Sequence, residues 1–152
     1  MRGVYQLTAQ LSSITSGRTL AYITAPANKV VEILSASVTA ADTTNQALEV
    51  GISRVSSLGT PTATSNTPTP TEPGDQSAGS TAKHNVTASE PTYTSGADYG
   101  RENVPSVGGW RYQPTPEERL IIPGGASVGL RLHTTSPTST NLDVNIVFRE
   151  IG

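Results

Sequence analysis

Most apolar segments of this chain alternate with polar residues at a period of two, the pattern of a β-strand that buries one face. The final segment shows this most clearly and is also the longest and most apolar, so we expect it to lie in the middle of a sheet. The pattern predicts burial of Leu130, Leu132, Val144 and Ile146, and an outward orientation for His133. The alternating apolar positions are Tyr5, Leu7, Ala9 and Leu11; Leu20 and Tyr22; Leu48, Val50 and Ile52; Val128, Leu130 and Leu132; and Leu142, Val144, Ile146 and Phe148.

Two segments depart from this simple alternation. Between Lys29 and Thr39 the apolar positions change from odd (Val31, Ile33) to even numbers, which predicts either a β-bulge or a strand buried on both sides. Helical signal is confined to one turn that begins at Pro116, because proline is favoured at the first position of a helix and disfavoured within it.

The segment from Ser56 to Thr81 is rich in Thr, Ser and Pro and contains a single large hydrophobic residue, Leu58. It cannot bury enough apolar surface to offset the entropy of ordering it. Prolines favour extended conformations and donate no backbone hydrogen bond. We therefore expect residues 56–81 to form an extended arm that contacts a neighbouring subunit.

The order of patterns predicts the fold class. Four regular strands precede a long irregular middle from Ser56 to about Val107, and three or four regular strands follow. About eight short antiparallel strands are typical of a sandwich or barrel. We expect an all-β protein, a jelly-roll-like antiparallel sandwich formed by residues 1–152 as one domain, with one long irregular loop.

Composition narrows the classes of partner. Cysteine is absent, and only 14% of residues are charged, against about 25% in an ordinary globular domain. The formal net charge is −2 and the basic residues are scattered, which argues against nucleic-acid binding. No apolar run reaches the roughly 18 residues of a membrane span. A weakly charged surface favours a protein that packs against other proteins.

No arrangement of residues predicts a reaction. His84 and His133 are far apart in the sequence, and we expect both at the surface rather than in a metal site. Six loop carboxylates show no distinctive spacing, although a structural calcium site is an alternative that their oxygen atoms would suit. We expect no catalytic residue, no cofactor and no metal. The carboxylates are Asp42, Glu72, Asp75, Glu90, Asp98 and Glu102.

Four aromatic residues cluster between positions 93 and 112: Tyr93, Tyr99, Trp110 and Tyr112. Three interpretations are open: ordinary core packing, anchors of a protein interface, and a platform on which sugars stack. Trp110 and Tyr112 share one face of a strand, because they are two positions apart.

The order of these elements resembles small structural proteins encoded near the capsid genes of tailed bacteriophages. Several of those proteins are jelly-roll or related β-sandwich decoration (cement) proteins. The residues that carry the resemblance are the strand Val4–Leu7, the turn Pro26–Lys29 leading into Val30–Leu34, the loop Gly59–Thr62 after the strand Leu48–Val55, Trp110, the turn Ile122–Gly125 and the final strand Asn145–Glu150.

The resemblance implies a non-enzymatic virion protein that is made in the host cytoplasm, decorates the capsid exterior and stabilises it. It implies a homo-oligomer, with a trimer favoured, that contacts the major capsid protein. Two alternatives are a phage tail or baseplate component, and a lectin-like carbohydrate-binding module that stacks sugars on Trp110 and Tyr112. The candidate interface residues are Tyr5, Pro61, Pro68, Pro70, Tyr99, Trp110 and Tyr112.

Overall fold

The computed structural model describes residues 3–41, 45–125, 129–134 and 139–152, with the backbone alone at residues 95, 97, 129 and 130. Within these ranges the chain forms twelve β-strands and one 3-10 turn, Pro116–Glu118, so the all-β prediction is confirmed. The strands are β1 (Val4–Ile14), β2 (Arg18–Thr24), β3 (Val30–Ala40), β4 (Ala47–Ser57), β5 (Thr62–Asn66), β6 (Thr69–Pro70), β7 (Thr81–Ala88), β8 (Thr92–Pro105), β9 (Trp110–Tyr112), β10 (Ile121–Ile122), β11 (Gly129–Thr134) and β12 (Thr140–Ile151).

The strands form two antiparallel sheets that pack against each other. Sheet A has the order β10–β3–β12–β1–β6, with β9 also paired to β3, and sheet B has the order β5–β7–β2–β11–β4–β8. Two packed antiparallel sheets form a β-sandwich, in which β1 pairs with β12 and β2 pairs with β11. The predicted count of about eight strands is too low, because the described residues form twelve.

The last strand, β12, lies at the centre of sheet A between β1 and β3, as its apolar pattern predicts. Its core-facing side chains alternate with outward ones along the whole strand. Val144 and Ile146 are 2% and 5% exposed, and Leu132 of sheet B is equally buried, which confirms three of the predicted core residues. Val128 and the side chain of Leu130 lie outside the described residues.

The change of phase in β3 is a β-bulge. Ile33 pairs with Phe148 and Ser35 pairs with Val147, so Leu34 has no partner on β12. One extra residue in one strand moves every later side chain to the opposite face. Val31 and Ile33 before the bulge, and the even-numbered apolar residues after it, all reach the same core.

The prediction of a long irregular middle is wrong for most of its length, because β5 to β8 lie within it. Two features hide these strands from a periodicity search. Strand β7 is mostly Thr, Lys, His and Asn, with buried side chains only at Ala82 and Val86. The pairing of β8 with β4 shifts register three times, so no alternation survives along β8.

The predicted arm, residues 56–81, lies against its own subunit and runs from the edge of sheet B to the edge of sheet A. Strand β5 pairs with β7, and β6 pairs with Tyr5 and Gln6 of β1. Asn66 Nδ2 donates to the Thr8 carbonyl at 2.9 Å, and the Thr71 N–H donates to the Val4 carbonyl at 3.0 Å. The arm therefore joins the two sheets, and its contact with a neighbouring subunit stays a prediction.

The end of the arm is fastened by a buried carboxylate. Glu150, on β12, accepts hydrogen bonds from the Ser80 N–H at 2.7 Å, from Ser80 Oγ at 2.5 Å and from Lys29 Nζ at 2.8 Å. Burial by itself would raise the pKa of Glu150, but the bonds from Lys29 and Ser80 outweigh burial and hold that pKa below its ordinary value. We call Lys29, Ser80 and Glu150 the arm clamp.

Candidate functional site

A groove opens at the end of the sandwich where β8 of sheet B approaches β9 of sheet A. We call it the edge groove. Its volume is about 450 Å³, and both aromatic and charged side chains line it. The lining residues are Asp98, Tyr99, Gly100, Glu102, Arg111, Tyr112, Gln113, Pro114 and Glu118.

The floor of the edge groove is held in place by contacts between the two sheets. Trp110 Nε1 donates to the Gly100 carbonyl at 2.7 Å, and the Trp110 and Tyr112 rings are nearly parallel with centroids 6.4 Å apart. Gly100 has φ +58°, and a Cβ there would lie 2.9 Å from Tyr112 Cδ2. Glycine is required because any side chain would strain the backbone and push Tyr112 aside.

Two half-buried tyrosines line the edge groove. Tyr99 OH accepts a hydrogen bond from Arg54 Nε at 3.3 Å, and Tyr112 OH donates to the Glu118 carbonyl at 3.2 Å. Burial, followed by the negative charge of Glu118, raises the pKa of Tyr112 above its ordinary value, so this phenol stays neutral at physiological pH. The hydroxyls fix the orientation of the rings.

The rim of the edge groove carries charge. Glu102 and Arg111 are exposed, and within the described part of the chain neither side chain has a hydrogen bond or an ion pair. Glu118 accepts a hydrogen bond from Thr115 Oγ1 at 3.0 Å. One carboxylate and one guanidinium are thus available to a ligand in the groove.

A second cluster lies on the outer face of sheet B, away from the core. Arg131 is buried there, although it faces outward, because the ring of Tyr93 covers its guanidinium at 3.7 Å. Arg131 Nη1 donates to Thr19 Oγ1 at 3.1 Å and lies 3.4 Å from the Glu90 carboxylate, which also accepts from the Thr19 N–H at 2.9 Å. We call this group, with Ser53, Asp98 and His133, the polar cluster.

The prediction that His133 lies at the surface is wrong. His133 does face away from the core, but it is only 4% exposed because Tyr93, on the distant strand β8, stacks over it. Burial, followed by the charge of Arg131, lowers the pKa of His133 despite the nearby Asp98 carboxylate, so the ring is neutral at pH 7. The other histidine, His84, is half-buried rather than exposed.

The polar cluster is not arranged for nucleophilic catalysis. Ser53 Oγ donates to Asp98 Oδ1 at 2.5 Å, and His133 Nε2 lies 3.2 Å from the same oxygen. A serine nucleophile needs its hydroxyl bonded to the base, whereas here the carboxylate takes both partners. The geometry is that of a structural network on the outside of the sheet.

Metal binding has little support in the structure. Among residues 3–41, 45–125, 129–134 and 139–152, no three His, Asp or Glu side chains come together in a group that could hold an ion. The calcium alternative therefore gains nothing from the loops that the structure describes. Asp42 lies outside the described residues.

The outer face of sheet A is the third candidate surface. A shallow depression of about 510 Å³ lies over the three central strands β1, β12 and β3. Among the described residues, Asp143 is the only charged one that lines it, and Gln6 Nε2 donates to Asn145 Oδ1 beside it at 3.0 Å. We call this surface the polar face. It is lined by Thr8, Ala9, Gln10, Ser37, Thr39, Asp143, Val144 and Asn145.

The structure divides the seven candidate interface residues into three groups. Tyr5 and Trp110 are each 3% exposed, and Tyr5 packs on Phe148, so both belong to the core of their own subunit. The three prolines belong to the arm: Pro68 is buried, while Pro61 and Pro70 are half-buried. Tyr99 and Tyr112 lie together in the edge groove.

Sequence reasoning missed the polar cluster, since its members come from five separate strands and loops and share no local spacing. The one signal in the sequence was charge on a strand: Arg131 and His133 alternate with Leu132 in an otherwise apolar segment. The polar face was also missed, because small polar residues on the outer side of strands are typical of any sandwich.

Comparison of the chain with family models, curated proteins and solved structures gives no match in any of the three. No part of the chain that the structure describes forms a helix with the length and hydropathy required to cross a lipid bilayer. The function must therefore be argued from the geometry of the three surfaces.

Proposed function

We propose that this chain is a non-enzymatic structural protein of a tailed-phage virion, which binds the outside of the capsid through its major capsid protein and stabilises it. The observation that carries the proposal is the polar face. It is broad and shallow, Asp143 is the one charged residue among its described lining residues, and it lies on the three central strands of sheet A of the sandwich.

Such a surface suits protein contact for two physical reasons. Desolvating Thr, Ser, Asn and Gln costs less than desolvating ions, and each of these side chains can form new hydrogen bonds with a partner. The central strands are fixed by neighbours on both sides, so little entropy is lost when the face is covered. Weak contacts of this kind become strong when symmetry repeats them on a capsid.

Binding to assembled capsids tests the proposal. Thr8 is exposed on the polar face, and Thr8→Lys places a charge where the proposed contact would bury it. Thr92→Lys is the matched control, because Thr92 is an exposed threonine on β8 of the other sheet and lies outside both the arm and the polar face. We expect Thr8→Lys to lose capsid binding and the heat resistance that the protein confers on capsids, and Thr92→Lys to retain both.

If neither the unmodified protein nor the control binds capsids, the proposed function is overturned. If both variants bind equally well, the polar face is not the surface that contacts the capsid. Since few charges are involved, binding should depend only shallowly on salt.

The favoured oligomer is a trimer. A chain of 15.8 kDa should then give about three times that mass by light scattering at micromolar concentration, and a monomer mass would count against this part of the proposal.

A further inference from the structure

We propose that the edge groove is a binding site for a neutral oligosaccharide. This activity goes beyond capsid binding and uses a different surface, so the two proposals can fail separately. The site joins two aromatic rings in a fixed orientation to a free carboxylate and a free guanidinium, all in one groove of about 450 Å³.

The tyrosine rings provide the apolar half of the site. The faces of aromatic rings carry partial negative charge, and the axial C–H groups of a pyranose carry partial positive charge, so a sugar ring packs flat on a tyrosine. The Tyr112 ring cannot rotate away, because Trp110 lies parallel to it and Gly100 packs on its edge. Arg54 in turn holds the hydroxyl of Tyr99. Rings that are fixed before binding lose little entropy when they bind.

The rim provides the polar half of the site. Each sugar hydroxyl both donates and accepts a hydrogen bond, and neighbouring hydroxyls are spaced to meet a carboxylate or a guanidinium with two bonds. Glu102 can accept from hydroxyls, Arg111 can donate to them, and Gln113 can do both. Neither Glu102 nor Arg111 has a side-chain partner within the described residues that a ligand would have to displace.

The charge of the lining selects against acidic sugars. Among the described residues, Asp98, Glu102 and Glu118 line the groove together with one base, Arg111. Asp98 pairs with Arg101 at 3.1 Å, but Arg101 also pairs with Glu49 at 2.7 Å, so the groove is net negative. A uronic or sialic acid would be repelled, whereas a neutral hexose oligomer would not.

The same lining argues against a proline-rich peptide, the other ligand that aromatic grooves accept. Proline has no N–H, so a polyproline segment would cover Glu102 without giving it a hydrogen bond. The cost of leaving that carboxylate desolvated and unpaired disfavours such a ligand. A sugar satisfies the same group.

Titration with defined oligosaccharides tests the proposal. The probes are cellotetraose and maltotetraose as neutral ligands, and tetragalacturonate as an acidic one, followed by isothermal titration calorimetry and by the fluorescence of Trp110. The chain contains one tryptophan, and its ring centroid lies 6.4 Å from that of Tyr112, so its emission reports on changes beside the groove. We expect saturable binding of at least one neutral probe at millimolar or lower concentration, a change in Trp110 emission, and no binding of tetragalacturonate.

Variants place the binding in the groove. Glu102→Ala should weaken binding of the neutral probe about tenfold or more, because a hydrogen bond to a charged group is lost. Glu117→Ala is the matched control, since Glu117 is an exposed glutamate of the 3-10 turn that does not line the groove, and its affinity should be unchanged. Thermal unfolding of both variants shows that the fold is retained.

Three results would overturn the proposal. They are the absence of saturable binding by either neutral probe, binding that Glu102→Ala leaves unchanged, and equal affinity for the acidic probe. Binding of a polyproline peptide in place of the sugars would assign the groove to a peptide instead.

Discussion

Replacing Glu150 with Gln is expected to destabilise the protein by about 2 kcal/mol at neutral pH, because it removes the charge from the arm clamp. The Glu150 side chain is only 2% exposed, so its three hydrogen bonds replace water almost completely. Gln has the same shape and can still accept from Ser80, but as a neutral group, and its amide nitrogen cannot accept from Lys29.

The magnitude follows from these bonds. Hydrogen bonds to a charged group contribute about 1.5–3 kcal/mol each and neutral ones about 1 kcal/mol. Each of the two bonds from Ser80 is weakened by about 0.5–2 kcal/mol and the lost bond from Lys29 adds about 1.5–3 kcal/mol, so the loss is roughly 2.5–7 kcal/mol. The lower desolvation cost of a neutral amide offsets most of this loss, which leaves about 2 kcal/mol. The Lys29 side chain is 30% exposed, so water can solvate its ammonium group in the variant and no further cost arises from leaving it without Glu150.

The pH dependence gives a sharper test than the magnitude. The folded-state pKa of Glu150 is lowered, so the charged clamp contributes stability that is fully present above the unfolded-state value of about 4.3 and is lost as pH falls through the folded-state pKa. The difference between the parent protein and Glu150→Gln should therefore shrink on acidification below about pH 4.

Urea unfolding at pH 7 and at successively lower pH measures this difference. Glu117→Gln is the control, because Glu117 is exposed, and it should unfold like the parent at every pH. A Glu150→Gln effect below about 0.5 kcal/mol at pH 7, or one that stays constant on acidification, would refute the charged clamp.

Three further predictions concern the core, the edge groove and the polar cluster. Ile146→Ala should cost roughly 2–5 kcal/mol in urea unfolding, since the side chain is 5% exposed in the core, and a loss below about 1 kcal/mol would contradict its placement. Gly100→Ala should cost at least about 2 kcal/mol of stability and alter the near-ultraviolet circular dichroism of the aromatic rings, because the residue has φ +58° and an added Cβ would lie 2.9 Å from Tyr112. Parent-like stability would show that Gly100 and the Tyr112 ring are not tightly packed. Burial, followed by the charge of Arg131, lowers the pKa of His133, so the unfolded chain takes up a proton near pH 6.5 before the folded chain does, and stability falls as the pH drops below that value. The pKa of His84 is also lowered, so the test uses a His84→Gln background, in which His133→Gln should flatten the dependence of stability on pH. An unchanged slope would mean that His133 does not titrate differently on unfolding.

Strands with one face in the core are the part of the fold that local pattern predicts well. In β12 the alternation predicted the buried residues, and its length predicted the central position. A strand that lies between two others, with one face on the core, can carry apolar residues along its whole length. In β3 the change of phase predicted either a bulge or a strand buried on both sides, and the structure has a bulge at Leu34, which lets both halves of the strand face one core.

Strands at the edges are where the same reasoning failed. Strand β5 lies at the edge of sheet B, so its Thr, Ser and Asn side chains remain half-exposed or exposed and carry no alternation. The prolines of the arm predicted an extended segment, which describes β5 and β6 but not the bends and turns at residues 71–74. They could not show that this segment would pair with β7 and β1 of its own chain, because backbone hydrogen bonding depends on which edge is nearby and not on the side chains.

The candidate sites depended still more on tertiary structure. Tyr99, Trp110 and Tyr112 were all predicted as candidate interface residues. Trp110 is instead a core residue, and its ring lies parallel to that of Tyr112. His133 faces outward as its position predicts, yet it is buried because Tyr93 lies over it.

The sequence by itself determined the all-β class, the central strand and most of the core, because these follow from the period of two between side chains on one strand. Only the tertiary structure decided how the arm is fastened by Glu150, which outward residues are covered, and which aromatic rings border a groove. Those features arise where segments distant along the chain meet, and no local spacing of residues encodes such a meeting.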